Sequence, residues 1–85
     1  MRDKEAQARI RVRLRQVQAG NFGDSEPVGE GVFELRVHVG AGYRVYCGRR
    51  GKSVVILLSG GDKSSQAVDI QRAKGLWSEW KRRQS

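Results

Sequence analysis

The sequence predicts an α+β fold: a helix, three antiparallel strands and a closing helix. Three observations carry that prediction. Residues 33–39 alternate apolar and polar side chains with a period of two, the mark of a half-buried strand. Gly40-Ala41-Gly42 follows at once and supplies the positive φ angles of a tight hairpin. Apolar residues return at helical spacing near both ends of the chain.

Residues 2–19 fit two patterns. Ala6, Ile10, Leu14 and Val17 fall at helical spacing, whereas Arg9 to Arg15 also alternates as a strand does. Strong helix formers on both flanks, Gly20-Asn21 as a stop, and a length beyond an ordinary strand decide for helix. Its arginines then spread around the solvent side. Residues 20–31, rich in Gly, Asn, Asp, Ser and Pro, read as a loop. Strands follow at 32–39 and 42–49, with Arg49-Arg50-Gly51-Lys52 as a basic turn. Residues 53–59 include Val54-Val55-Ile56-Leu57-Leu58, apolar on both faces, and read as a central strand buried on both sides. Gly60-Gly61-Asp62-Lys63-Ser64-Ser65 leads into a helix over 65–80, capped by Ser64 or Ser65. Val68, Ala73, Leu76, Trp77 and Trp80 form its apolar stripe, and Lys81-Arg82-Arg83 complement its dipole. A central strand at 53–59 demands a further strand beside it, and none is visible.

Eighty-five residues predict a single domain, 1–85. A chain this short buries roughly 60–65% of its unfolded surface, which excludes an enclosed active site and puts any chemistry on an open face. The net charge of +8 points to nucleic acid, an acidic protein or an anionic membrane surface as partner; a solvated basic surface is the plain alternative. The single cysteine, Cys47, excludes an internal disulfide and fits a reducing cytoplasm. Its apolar strand neighbours make it a packed thiol. No apolar run approaches the ~20 residues of a membrane span, and the first residues start no signal peptide. The expectation is a cytoplasmic protein with no membrane partner.

The hairpin carries the candidate chemistry. Arg36 on one strand, with Arg44 and Tyr46 on the return strand, puts cations on one sheet face without enough carboxylates to neutralise them. Such a face suits a phosphate-rich partner. Arginine stays charged at every working pH, and its planar fork fits two phosphate oxygens. Arg36 and Arg44 are therefore assigned to phosphate clamping and charge stabilisation. Lys63, set among arginines, loses proton affinity by like-charge repulsion and is the candidate base or acid. His38 is the only side chain with an unperturbed pKa near neutrality. Tyr46 shares the Arg44 face and is a candidate for stacking on a base, whereas Tyr43 faces the core. The plainer readings stay open: Arg36 in a surface salt bridge with Glu34 or another carboxylate, His38 as a surface or packing residue, Gly60 to Ser64 as a strand-to-helix turn, Trp77 and Trp80 as core or antitoxin-contact residues, and the basic first helix as a solvated face rather than a dock for ribosomal RNA.

Several short motifs recur in a fixed order: Gly20-Asn21-Phe22-Gly23-Asp24, Pro27-Val28-Gly29-Glu30-Gly31, Glu34-Leu35-Arg36, Gly42-Tyr43-Arg44-Val45-Tyr46, Leu57 to Gln66, and Asp69-Ile70 with Arg72-Ala73-Lys74. In that order and spacing the chain resembles the RelE/ParE superfamily of bacterial toxins, in the addiction-module killer branch related to HigB. The resemblance implies helices packed on a small antiparallel sheet with a C-terminal helix. It implies a ribosome-dependent endoribonuclease that cuts messenger RNA without metal or cofactor. It also implies neutralisation by a cognate antitoxin, often a helix-turn-helix DNA-binding protein. Matched by motif, the implied catalytic residues are Arg36, Arg44 and Lys63. The C-terminal tyrosine used by some members has no counterpart, and Asp69 lies near that position. Family members open with a strand and a helix that this sequence lacks. The expectation is a shortened chain with a bare sheet edge, left open or paired with a second copy in a homodimer. Two other readings stay open beside the nuclease: a ParE-like inhibitor of DNA gyrase, and an inactive toxin that only binds antitoxin or RNA.

Overall fold

A computed structural model describes residues 4–40, 42–50 and 54–84. Helix α1 (Lys4–Gln18) is followed by four strands, β1 (Ser25–Gly29), β2 (Val32–Val37), β3 (Tyr43–Arg50) and β4 (Val54–Gly61). A single 3₁₀ turn at Lys63–Ser65 then opens into α2 (Gln66–Gln84). The strands form one antiparallel sheet in sequence order, β1-β2-β3-β4. The architecture is α+β, as the sequence predicts.

The choice of helix over strand for the first segment holds: α1 buries Ala6 and Val17 and presses Ile10 and Leu14 against the sheet. The hairpin holds too, with Gly40 at φ 58° and Gly42 at φ 94°, left-handed conformations that favour glycine. Three expectations are corrected. A fourth strand is present, but on the edge opposite residues 53–59: Ser25–Gly29 is β1, not loop, paired with β2 from Ser25↔Leu35 to Gly29↔Val32. Its Pro27 is tolerated because β1 is an edge. The apolar segment is not a central strand. β4 lies on the opposite edge, and Leu57 is 50% exposed; the burial of Val54 and Val55 lies outside the described residues. A bulge opposite Tyr46 and Cys47 explains the broken alternation. Ile56 and Leu58, two residues apart, both pack on the α2 side. Arg49 and Arg50 continue β3 instead of turning, and Gly60 and Gly61 finish β4.

Both faces of the sheet are covered. On one, α1 seals Phe33, Leu35, Val37, Val45 and Cys47. On the other, α2 lays Trp77 and Ala73 against Val32 and Tyr46, with Trp80 stacked on Trp77 at 5.1 Å between ring centroids. Gly48 has no side chain because the Trp77 indole fills the space a Cβ would take. Val68 and Leu76, expected in the buried stripe of α2, face outward. Asp62 caps the 3₁₀ turn that leads into α2: its Oδ1 accepts from the Ser64 amide at 3.0 Å and from the Ser64 hydroxyl at 2.6 Å. These bonds hold its pKa below the usual carboxylate value. No helix among the described residues is long and apolar enough to cross a membrane.

Candidate functional site

The cations singled out from the sequence do not lie on a bare sheet face. They lie where α2 begins and stops covering the sheet. Arg36, Val37, His38, Gly42, Tyr43, Arg44 and Lys63 line one cleft of about 100 Å³. Four of the five predicted side chains therefore meet: Arg36 and His38 from β2 and its end, Arg44 from β3, and Lys63 from the turn before α2.

Strand register explains the arginine pair. Arg36 and Arg44 are direct cross-strand partners, and like charges in that position repel. Glu34 resolves the conflict. Its Oε1 accepts from Arg44 Nη1 at 2.5 Å and stands 3.3 Å from Arg36 Nε. Its Oε2 accepts from Gln66 Nε2 at 3.0 Å. Glu34 is only 2% exposed, so this carboxylate ties both guanidinium groups to the first residue of α2. The outer arms of Arg36 are also occupied. Nη1 donates to Asp24 Oδ1 at 2.8 Å and Nη2 to Glu26 Oε2 at 2.7 Å, which raises the Arg36 pKa further. Asp24 is shared with His38, whose Nε2 lies 2.6 Å from Oδ2. That bond first, and Arg36 second, hold the Asp24 carboxyl below its ordinary pKa.

The expectation of too few carboxylates is thus corrected: Asp24, Glu26 and Glu34 all meet Arg36, and Glu34 meets Arg44. Lys63 is exposed and carries no ion pair among the described residues. The stacking role expected of Tyr46 is corrected as well. It is wholly buried under α2, and its hydroxyl has no hydrogen-bond partner among the described residues. Burial, then the Glu34 charge, pushes its pKa up to about 12. Asp69, near the position of the absent tyrosine, is buried and accepts from Ser65 Oγ at 2.5 Å. Gly61 leaves the room for that pair.

The sequence offers Glu34 as a partner for Arg36, and the structure bears that pairing out; it does not reveal Asp24 and Glu26. Glu34 was visible as the alternate-position neighbour of Arg36, but its burial depends on α2 closing over it. Asp24 and Glu26 reach Arg36 only because β1 pairs with β2.

Residues 2–75 match the family model described as Phage derived protein Gp49-like (DUF891). The chain belongs to this Gp49-like family. The family is a toxin-like group related to RelE and HigB. An uncharacterized protein of Haemophilus influenzae is 48% identical to this Gp49-like chain over 79 residues, covering 93% of the chain and 80% of the relative. No solved structure matches it.

Proposed function

We propose that this Gp49-like protein is the toxin of a bacterial type II toxin-antitoxin system, of the HigB-related RelE/ParE kind. On this reading it is a metal-independent endoribonuclease that cuts messenger RNA on the ribosome and is held inactive by a cognate antitoxin. The observation that carries the reading is the meeting of Arg36, His38, Arg44 and Lys63 in one open cleft.

Cleavage needs a base for the 2′-hydroxyl, stabilisation of the pentacoordinate phosphorus, and an acid for the leaving 5′-oxygen. The 2′-oxygen attacks phosphorus, the P–O5′ bond breaks, and a cyclic phosphate and a 5′-hydroxyl result. Arg44, half-buried and anchored by Glu34, presents its remaining N–H groups to the phosphate. Lys63, exposed and without an ion pair among the described residues, moves a proton. His38 stands at the rim beside Asp24 and contacts the RNA. Arg36 joins once a phosphate replaces Asp24 and Glu26 on its outer nitrogens. These two carboxylates are exposed and exchange readily, whereas the buried Glu34 stays.

One observation favours a second reading. Both terminal nitrogens of Arg36 are already bonded to acids, as befits a protein acting through contacts, such as an inhibitor of DNA gyrase. Primer extension on cellular mRNA after induction without antitoxin separates the two. The nuclease reading expects discrete new 5′ ends within codons. Growth arrest with intact messages overturns it in favour of the contact inhibitor.

A further inference from the structure

Two clefts share a wall. Arg36, Val37 and His38 line the small cleft that holds Lys63, and also a second one of about 300 Å³ beneath α1. The second cleft is completed by Arg9, Val12, Arg13, Gln16 and Asp24. Arg9, Val12, Arg13 and Gln16 are spaced i, i+3, i+4, i+7, so they form one side of α1. The two clefts make a groove running from α1 to the start of α2.

Charge is distributed unevenly along it. In the middle, Arg36 and His38 are paired with acids. Arg13 is committed to the fold, donating from Nη2 to the carbonyls of Phe22 at 2.8 Å and Asp24 at 3.1 Å. Arg9 and Lys63, one lining each cleft, are both exposed and carry no ion pair among the described residues. Val12, 49% exposed, adds an apolar surface near the Arg9 end.

We infer that the groove takes an extended single strand of RNA, not one isolated phosphate, and that Arg9 is a second phosphate anchor on the far side of Arg36 from Lys63. This rests on the RNA-binding reading of the site above. The argument is one of geometry: Arg9 and Lys63 line different clefts, so only a ligand of several nucleotides engages both.

The test uses the full chain and uncleavable 2′-O-methyl RNA of 3 and 12 nucleotides, each titrated at several salt concentrations. Arg9→Ala is expected to weaken the 12-mer about tenfold and to reduce the slope of log affinity against log salt by about 0.7. It is expected to leave the 3-mer unchanged. Lys63→Ala is expected to weaken both. Arg11→Ala, about 200° around α1 from Arg9, removes the same charge and is expected to change neither. Loss with Lys63→Ala but not with Arg9→Ala overturns this inference alone. So does an equal loss with Arg11→Ala, or an equal loss of both lengths with Arg9→Ala. Wild-type protein that binds neither RNA also overturns this inference, while the site reading stands or falls by the primer-extension test.

Discussion

The two faces of the sheet carry different kinds of side chain along the same strands. Toward α1, Phe33, Leu35, Val37, Val45 and Cys47 form an apolar layer. Toward α2, the layer is apolar only under Trp77; beyond the start of the helix it becomes Glu34, Arg36, Arg44 and Lys63. The α1 face is a packing layer, of which only Val37 reaches the clefts. The α2 face is divided between stability and chemistry, and Glu34 sits at the division, buried like a core residue and bonded like a site residue. A buried carboxylate shared by two guanidinium groups is weak evidence for stability in itself. Its value is that it fixes both cations in one place.

The largest expected effects are on folding. Trp77→Ala removes the stacked indole that fills the space over Gly48 and should cost about 3–5 kcal/mol. Leu35→Ala on the other face should cost about 2–5 kcal/mol. Urea denaturation measures both. A cost below about 1 kcal/mol for Trp77→Ala would show that α2 does not hold the polar end in place.

Next comes Arg44→Ala, which sharpens the division. Loss of one charge-stabilising donor should slow cleavage about a hundredfold. It also strips the buried Glu34 of its closest partner, and breaking such a pair costs up to about 3–5 kcal/mol. The double variant Arg44→Ala with Glu34→Gln should recover most of the stability and none of the activity. Recovery of activity would make Arg44 purely structural.

Asp24→Asn with Glu26→Gln acts in the opposite direction. Freed of its outer acids, Arg36 should bind single-stranded RNA up to about fivefold more tightly, at some loss of β1 docking. Unchanged or weaker binding would mean that these acids only staple β1 to β2.

This contrast also shows how far residues predict structure. The hairpin, α1 and α2 were legible because each carries its own periodicity and turn chemistry. The meeting of Arg36, His38 and Lys63 was legible because hairpin register and the Gly60-Gly61-Asp62 turn fix it. β1 was not, because Ser25-Glu26-Pro27-Val28-Gly29 has no alternating pattern and becomes a strand only by pairing with β2. The edge position of β4 was hidden because its residues 54–58 are apolar at every position, although Leu57 stays half exposed. Glu34 was legible as a neighbour of Arg36 on the same strand face, whereas Asp24 and Glu26 were not, because they lie 12 and 10 residues from Arg36.

The smallest expected effect is with pH. Burial pushes the Cys47 thiol from 9.0 to about 12, on the α1 face, and the Tyr46 hydroxyl from 10.0 to about 12, on the α2 face. Both fold with the proton held more tightly than in the unfolded chain. Their contribution is therefore complete below about pH 9 and lost as pH rises from there toward 12. Asp24 has the opposite sign. Its lowered pKa contributes above 3.8 and fades as pH falls through the folded value. Thermal melts across pH should show a decline above pH 9 that Cys47→Ala partly removes. An unchanged decline in that variant would place the thiol outside the linkage.

The most direct measurement of whether the polar end of the α2 face cuts RNA uses Lys63→Ala. Lys63 is exposed and carries no ion pair among the described residues, so the substitution should leave the melting temperature unchanged. Mapping mRNA 5′ ends by primer extension after induction should show in-codon cuts with wild-type protein and a loss of about a hundredfold with the variant. Equal cutting by both, from equally folded protein, would contradict the account.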